Sequence, residues 1–211
     1  MLDYQKNFIA YSLECGVLKF GEFVLKSGRT SPYFFNTGLF DTGVKLGRLG
    51  EFYAQALRQS GLTPDILYGP AYKGIPLVSA MSIAYAKLMD KDIPFAFNRK
   101  EAKEHGEGGS LVGSCLQGKV LIVDDVITAG TSVKESVEII SQAGATPAGV
   151  LIALDRQEKA ESGRSAIQEV TECYKIPVIA IINLENIIAY IETNAIGQME
   201  AIADYRQRYG V

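Results

Sequence analysis

Two adjacent carboxylates, Asp124 and Asp125, followed at once by Val126, Ile127, Thr128, Ala129, Gly130, Thr131 and Ser132, are the residues whose types and spacing could most directly do chemistry. A short apolar run, Val120 to Val123, leads into them as a strand buried on both faces would. After Ser132, apolar side chains recur at Val133, Val137 and Ile140, with Glu135 and Glu138 off that stripe and Gly144 as a stop, so a helix follows. Strand, small-residue loop and helix together present free backbone N–H groups and a positive helix end to an anion. Thr128, Thr131 and Ser132 add hydroxyl donors, and Gly130 permits close backbone approach or a positive φ. A bare triphosphate would be repelled by the acid pair, which suits hydroxyls or a metal instead. A ligand with a phosphate at one end and a diol nearby fits both halves, and a ribose 5-phosphate has that shape. The Walker A pattern and the G-x-G-x-x-G fingerprint are both absent. An ordinary βα turn with two capping Asp residues is the plain alternative; the coincidence of apolar run, acid pair and hydroxyl-glycine loop in order argues against it.

The remaining candidates are cations. Lys73 follows one strand and precedes a helix in Pro70-Ala71-Tyr72-Lys73-Gly74. Arg99, Lys100, Lys103 and His105, the single histidine, fall in a polar stretch that ends Gly-rich at Gly109. Long polar loops inside compact folds are commonly functional. Because Glu101, Glu104 and Glu107 interleave with these cations, a self-neutralised solvated loop is equally consistent. Arg156 stands beside Asp155 and Glu158, where a surface ion pair would also explain it. Phe34 and Phe35 could be core residues or an aromatic platform.

The elements that must position these residues alternate. Helical spacing marks residues 1 to 15 (Phe8, Ile9, Ser12, Leu13), about 44 to 60 (Leu46, Leu49, Tyr53, Ala56, Leu57) and 75 to about 89 (Leu77, Met81, Ala84, Leu88). The last also carries Val78 and Ile83, which predicts burial on more than one side, at a subunit interface or under a flap. Residues 17 to 36 read as a small antiparallel flap. Strands are expected near 66, 95, 121, 151 and 179, with a helix from Leu184 through Ile191 and a weaker helical tail to Tyr205. Such alternation predicts an α/β fold with an open, mostly parallel sheet flanked by helices. Ligands of such sheets sit at the carboxyl ends of the strands, where Tyr72, Lys73, Arg99, Asp124 to Ser132 and Arg156 all fall.

A chain of 211 residues that is 47% apolar can bury a substantial core as one domain. Its net charge of −3 offers no general field for nucleic acid or an anionic membrane, so any anion site must be local. Cys15, Cys115 and Cys173 are far apart, without metal-site spacing, and are expected to be buried free thiols in a reducing compartment. The N-terminal residues do not read as a signal peptide and no apolar run approaches ~18 residues, so the expected location is cytoplasmic.

The run from Val120 to Ser132 resembles the phosphoribosyl-pyrophosphate (PRPP) signature of type I phosphoribosyltransferases. With Lys26 to Asn36, Gly69 to Gly74, Asn98 to Gly106 and Asp155-Arg156, the whole chain resembles the bacterial orotate phosphoribosyltransferases. That resemblance implies one transferase domain over residues 1–211, with about 17–36 as a hood over the site. It implies that Lys26, Tyr72, Lys73, Arg99, Lys100, Lys103, His105 and Asp124, Asp125, Val126, Ile127, Thr128, Ala129, Gly130, Thr131 and Ser132 contact PRPP. Phe34, Phe35, Thr128 and Arg156 would contact orotate. Lys73, Lys103, His105, Asp124 and Asp125 would be the catalytic set. An aromatic face can stack a flat base, and an arginine can hold its carboxylate. Mg²⁺ is the implied cofactor, held mainly by PRPP and water rather than by a protein cage. The implied assembly is a homodimer whose 99–109 loop is shared between subunits, with no nucleic-acid or membrane partner.

Overall fold

The structure, a computed structural model, describes residues 1–25, 28–103, 109–127, 130–160, 162–196 and 199–211, without the side chains of 102, 103 and 109. The chain opens with α1 (Asp3–Glu14), whose Phe8, Ile9 and Ser12 are buried on one face. Two antiparallel strands follow, β1 (Leu18–Val24) and β2 (Thr30–Phe35), paired from Leu18 with Phe35 to Val24 with Thr30. They form a separate two-stranded sheet, as the flap expectation required. A 3-10 turn, Thr37–Leu39, then leads to α2 (Gly43–Ser60), which is capped by Thr42 and stopped at Gly61.

The main sheet has six strands: β3 (Ile66–Gly69), β4 (Phe95–Lys103), β5 (Gly109–Gly113), β6 (Lys119–Val123), β7 (Thr146–Asp155) and β8 (Val178–Asn183). Their spatial order is β5-β4-β3-β6-β7-β8, and all neighbours are parallel except β4 and β5. The connecting helices are α3 (Gly74–Met89), α4 (Thr131–Gln142), α5 (Ala166–Tyr174) and α6 (Leu184–Thr193), with α7 (Met199–Tyr209) last. Strand side chains alternate between two cores. Leu121 and Val123 of β6 join the cluster containing Phe52, Met81 and Ile187, whereas Val120 and Ile122 join that containing Val133, Ile140 and Val170. A strand that is apolar on both faces is therefore sandwiched between helices, giving three layers.

Several expectations need correction. The polar stretch after Phe97 continues as strand to Lys103 and pairs antiparallel with β5, so much of the expected loop is the arm of a hairpin. The short, glycine-flanked β5 shows little alternation, and only its place at the sheet edge makes it a strand. Cys115 and Cys173 are exposed and Cys15 is partly buried, all three free, because the first two lie in a loop after β5 and on α5 rather than in the core. On α3, Leu77, Val78 and Met81 are buried, but Ile83 is 61% exposed and Leu88 is exposed too. This helix packs on α2 and the sheet, not under the flap, and its second apolar side lines an open groove against α2.

Candidate active site

The sheet changes winding direction between β3 and β6. From β3 the chain moves outward to β4 on one side, and from β6 it moves outward to β7 and β8 on the other. A crevice at the carboxyl ends of these two strands is where an open α/β sheet receives its ligand.

The corner after β6 is built by its own short side chains. Asp124 Oδ1 accepts from the backbone N–H of Asp125 at 2.9 Å, and Asp125 Oδ1 accepts from that of Val126 at 2.8 Å. Ser132, in the first turn of α4, donates its hydroxyl to Asp124 Oδ2 at 2.9 Å. Backbone bonds from Asp124 N–H to Leu151 O and from Ala153 N–H to Asp125 O tie the corner to β7. From α2, Tyr53 donates its buried hydroxyl to the Asp124 carbonyl at 2.7 Å. Gly130 takes a left-handed φ of 70° to begin α4 and makes no side-chain cap, so the helix is not closed by a protein side chain at that residue. Asp124 is 7% exposed, and burial is the largest cause that raises its pKa above the ordinary carboxylate range.

The loop after β3 folds tightly against α3: a Cβ at Gly69 would stand 2.2 Å from the Gly74 carbonyl oxygen. Side chains at Gly69 are thereby excluded, and the turn delivers Lys73 to the crevice. Lys73 Nζ lies 2.6 Å from Asp125 Oδ2, which also accepts from the Thr37 hydroxyl at 3.0 Å. Three segments far apart in sequence thus meet on one oxygen. Asn98 of β4 accepts from the Ala71 N–H at 2.8 Å and braces the same loop. Lys100 lies 5.6 Å from the centroid of the exposed Tyr72 ring. Arg99 is partly buried on β4.

At the end of β7, Arg156 is enclosed. It pairs with Glu158, donates to the Ser31 hydroxyl at 3.2 Å, and lies 4.4 Å over the Tyr33 ring. The aromatic side chain placed on this arginine is Tyr33, whereas Phe34 stacks on Phe23 and Phe35 turns edge-on to Phe8. Lys26, His105, Thr128 and Ala129 lie outside the described residues, as does the Lys103 side chain. Thr37 and Asn98 were not singled out as site residues from sequence, Tyr53 was read only as a core position of its helix, and Glu158 only as a surface ion-pair neighbour of Arg156. Asn98 alone carried a signal, as a polar residue ending a buried strand on the ligand side of the sheet.

The arrangement offers acceptors for hydroxyls at Asp124 and Asp125, an uncapped helix start for an anion, mobile-length cations at Lys73 and Lys100, and a buried guanidinium beside β2. Among the described residues no group of three or more His, Cys, Asp and Glu could cage a metal. None of the described helices is long and apolar enough to cross a membrane.

The phosphoribosyl transferase domain family matches residues 42–183. The chain is 62% identical over 211 residues to an orotate phosphoribosyltransferase of Methylococcus capsulatus, covering 100% of this chain and 99% of that protein. It is 56% identical over 213 residues to one from Thiobacillus denitrificans, covering 100% of both. A crystal structure of the orotate phosphoribosyltransferase of Francisella tularensis superposes with a TM-score of 0.89 at 46% identity, over 97% of this chain and 100% of that one.

Proposed function

The chain belongs to the orotate phosphoribosyltransferase family and transfers the ribose 5-phosphate group of PRPP to N1 of orotate, and we propose that the crevice between β3 and β6 is where it does so. The observation that carries this placement is the meeting of Lys73, Thr37 and Asp125 at the sheet's switch point, one turn from the start of α4.

In this reading the 5-phosphate docks on the loop 126–132 and the first N–H groups of α4, where helix dipole and hydroxyls favour an anion. Asp124 and Asp125 accept from the ribose hydroxyls. Asp125 is engaged by Lys73 in the structure, so the lysine must move when the ribose arrives. Lys73 is 63% exposed, and an ion pair with one partner in water is worth under about 1 kcal/mol, so the exchange costs little. Its ammonium can then meet phosphate oxygens. Breaking the C1 bond to pyrophosphate develops positive charge on the ribose and negative charge on the leaving group as N1 of orotate, whose proton passes to solvent or to the departing pyrophosphate, forms the new bond with its electron pair. No protein nucleophile is required; orientation and fixed charge lower the barrier.

Lys26, Tyr72, Arg99, Lys100, Lys103 and His105 complete the PRPP contacts in this reading, with the tip of the β4–β5 hairpin closing over the pyrophosphate to exclude water. Phe34, Phe35, Thr128 and Arg156 contact orotate, with Arg156 on its carboxylate. Mg²⁺ would fit as a companion of the substrate rather than in a protein cage, and would supply charge that offsets the leaving group. Residues 1–211 act as one domain with about 17–36 as its hood, in the cytoplasm. Two copies assemble, and the groove of about 560 Å³ between α2 and α3, lined by Leu46, Ile83 and Leu88, supports a face that a second copy covers.

The test is loss of orotate absorbance on mixing protein with PRPP and Mg²⁺, with and without chelator, beside uracil, adenine, hypoxanthine and guanine. Metal-dependent consumption of orotate alone is expected. Turnover of a purine, or of uracil as readily as orotate, would overturn the base assignment.

A further inference from the structure

Arg156 does not stand free at the end of β7. Its Nε donates to Glu158 Oε1 at 2.8 Å and its Nη2 lies 2.6 Å from the same oxygen. Nη2 also donates to Ser31 Oγ at 3.2 Å. The two charged side chains are 17% and 15% exposed, so the pair is largely withdrawn from water. A guanidinium carries five N–H donors, one on Nε and two on each Nη. Among the described residues the protein engages Nε and Nη2 and not the Nη1 donors, which face a ligand in this reading. The forked Nε and Nη2 edge, which would be the ordinary grip on a carboxylate, already belongs to Glu158.

Glu158 is itself held from several sides. Tyr33 of β2 donates its hydroxyl to Oε1 at 3.5 Å. The backbone around Glu158 is laced to the end of α7: Glu158 and Gly210 form an antiparallel bridge, Lys159 N–H donates to Tyr209 O at 2.7 Å, and Val211 N–H donates to Gln157 O at 3.0 Å. Arg29 spans the joint from the β1–β2 connection, donating to Lys159 O at 3.1 Å and lying 4.9 Å over the Tyr209 ring. Tyr205, on the buried face of α7, stands edge-on to Tyr33 at 6.3 Å. Its buried hydroxyl has no hydrogen-bond partner among the described residues. Burial first, and then the charge of nearby Glu158, raise the pKa of that hydroxyl, so it remains a protonated donor beside the carboxylate.

We propose that Glu158, locked between β2 and α7, is a positioning residue for base recognition: it orients Arg156 so that Nη1 is what meets the carboxylate of the base. This rests on Arg156 being the carboxylate reader. Glu158 also has an opposing effect, since its charge repels a carboxylate ligand. Orientation outweighs repulsion here because Glu158 is already neutralised by two contacts to Arg156, whereas an arginine released from them regains its rotamer freedom and turns to other acceptors.

The test compares KM for orotate and for PRPP, together with kcat, in the wild type, E158A, E158Q, Y205F and R156M, with thermal unfolding of each. E158A should raise the orotate KM about tenfold, the loss of roughly one charge-assisted hydrogen bond, and leave the PRPP KM within about twofold. E158Q keeps an acceptor at the same reach and should recover most of that loss, at about threefold; it also keeps the inference testable if E158A does not fold. Y205F should change the orotate KM by about twofold at most, through its effect on Glu158. An orotate KM that is unchanged or lower in E158A and E158Q, or an equal rise in both KM values, overturns the positioning role. R156M separates the two assignments. If it raises the orotate KM while the Glu158 variants do not, only the positioning role fails; if it leaves the orotate KM unchanged, the reader assignment fails and the inference with it.

Discussion

The corner after β6 and the pocket around Arg156 sit at the ends of neighbouring strands and are built in opposite ways. At the corner, Asp124 holds the N–H of Asp125, Asp125 holds that of Val126, and Ser132 reaches back to Asp124. Every one of these bonds closes within a single strand-loop-helix unit. Arg156 pairs with Glu158 two residues on, but Ser31 and Tyr33 come from the flap and the Glu158 backbone is bridged to Gly210 at the far end of the chain. The side-chain bonds that shape the corner are local, while Tyr53 of α2 and the backbone of β7 brace it from outside. The pocket exists only after β2, β7 and α7 have docked, so its geometry is a property of packing. In the proposed reading, a phosphoribosyl end built mainly by local bonds and a base end built by longer-range contacts would let one part be reused while the other is reshaped for a different base.

Variants can break this contrast. The largest effect is expected from a change that leaves both regions intact: the K103A/H105A double variant in the hairpin tip should lower kcat by about 10²- to 10⁴-fold if these side chains assist departure of pyrophosphate. Its unfolding temperature should stay within about a degree of wild type, since polar substitutions away from a packed core cost little. Single-turnover kinetics with saturating substrates would check it, and unchanged turnover would remove the hairpin tip from the mechanism.

Next in size, D125N should reduce kcat/KM by about 10²-fold or more, because it disturbs both the ribose contact and the resting partner of Lys73. Both substrates should be affected through kcat, and a defect confined to the orotate KM would contradict the division between the two regions. R156M should raise the orotate KM by about 10- to 100-fold, the value of a hydrogen-bonded charge, with little change in PRPP binding measured by calorimetry. It should also cost stability, since it leaves the nearly enclosed Glu158 without its cation.

The smallest effect is one of stability and pH. Burial raises the pKa of Asp124 in the folded chain, so its contribution to stability is fully present below the ordinary carboxylate pKa and is lost as pH rises through the raised one. At neutral pH the ionised, buried Asp124 is a net cost. D124N should therefore unfold at a temperature equal to wild type or a few degrees higher at pH 7, while losing activity. Below the ordinary carboxylate range the difference should shrink. A marked fall in unfolding temperature at pH 7 would mean that the hydrogen bonds to Asp125 N–H and Ser132 matter more than the buried charge.

How far the molecule was legible before its structure follows the same division. Five of the six strands, the mostly parallel class of the sheet, most of its helices and the loop after β6 were readable because apolar periodicity and residue order encode them directly. The antiparallel β5 was not, since a short edge strand flanked by glycines carries no periodic signal. The helix α5 was not marked either. Thr37 joined the site through a 3-10 turn whose residues look like any connection. Phe34 and Phe35 were read together, as core residues or as contacts to a flat base; only the structure shows that strand alternation gives them different neighbours and places Tyr33 beneath Arg156.

By itself, the sequence determined the alternating α/β class, the two-sided burial of β6 and the chemistry of Asp124 to Ser132, because each depends on residues within reach of one another along the chain. Only the tertiary structure decided that Lys73 rests on Asp125, that Thr37 shares that oxygen, and that Glu158 and α7 orient Arg156. Apart from the Arg156–Glu158 pair itself, those contacts join segments 52 or more residues apart, and the free energy that selects them comes from burying the surfaces between them, which no local pattern records.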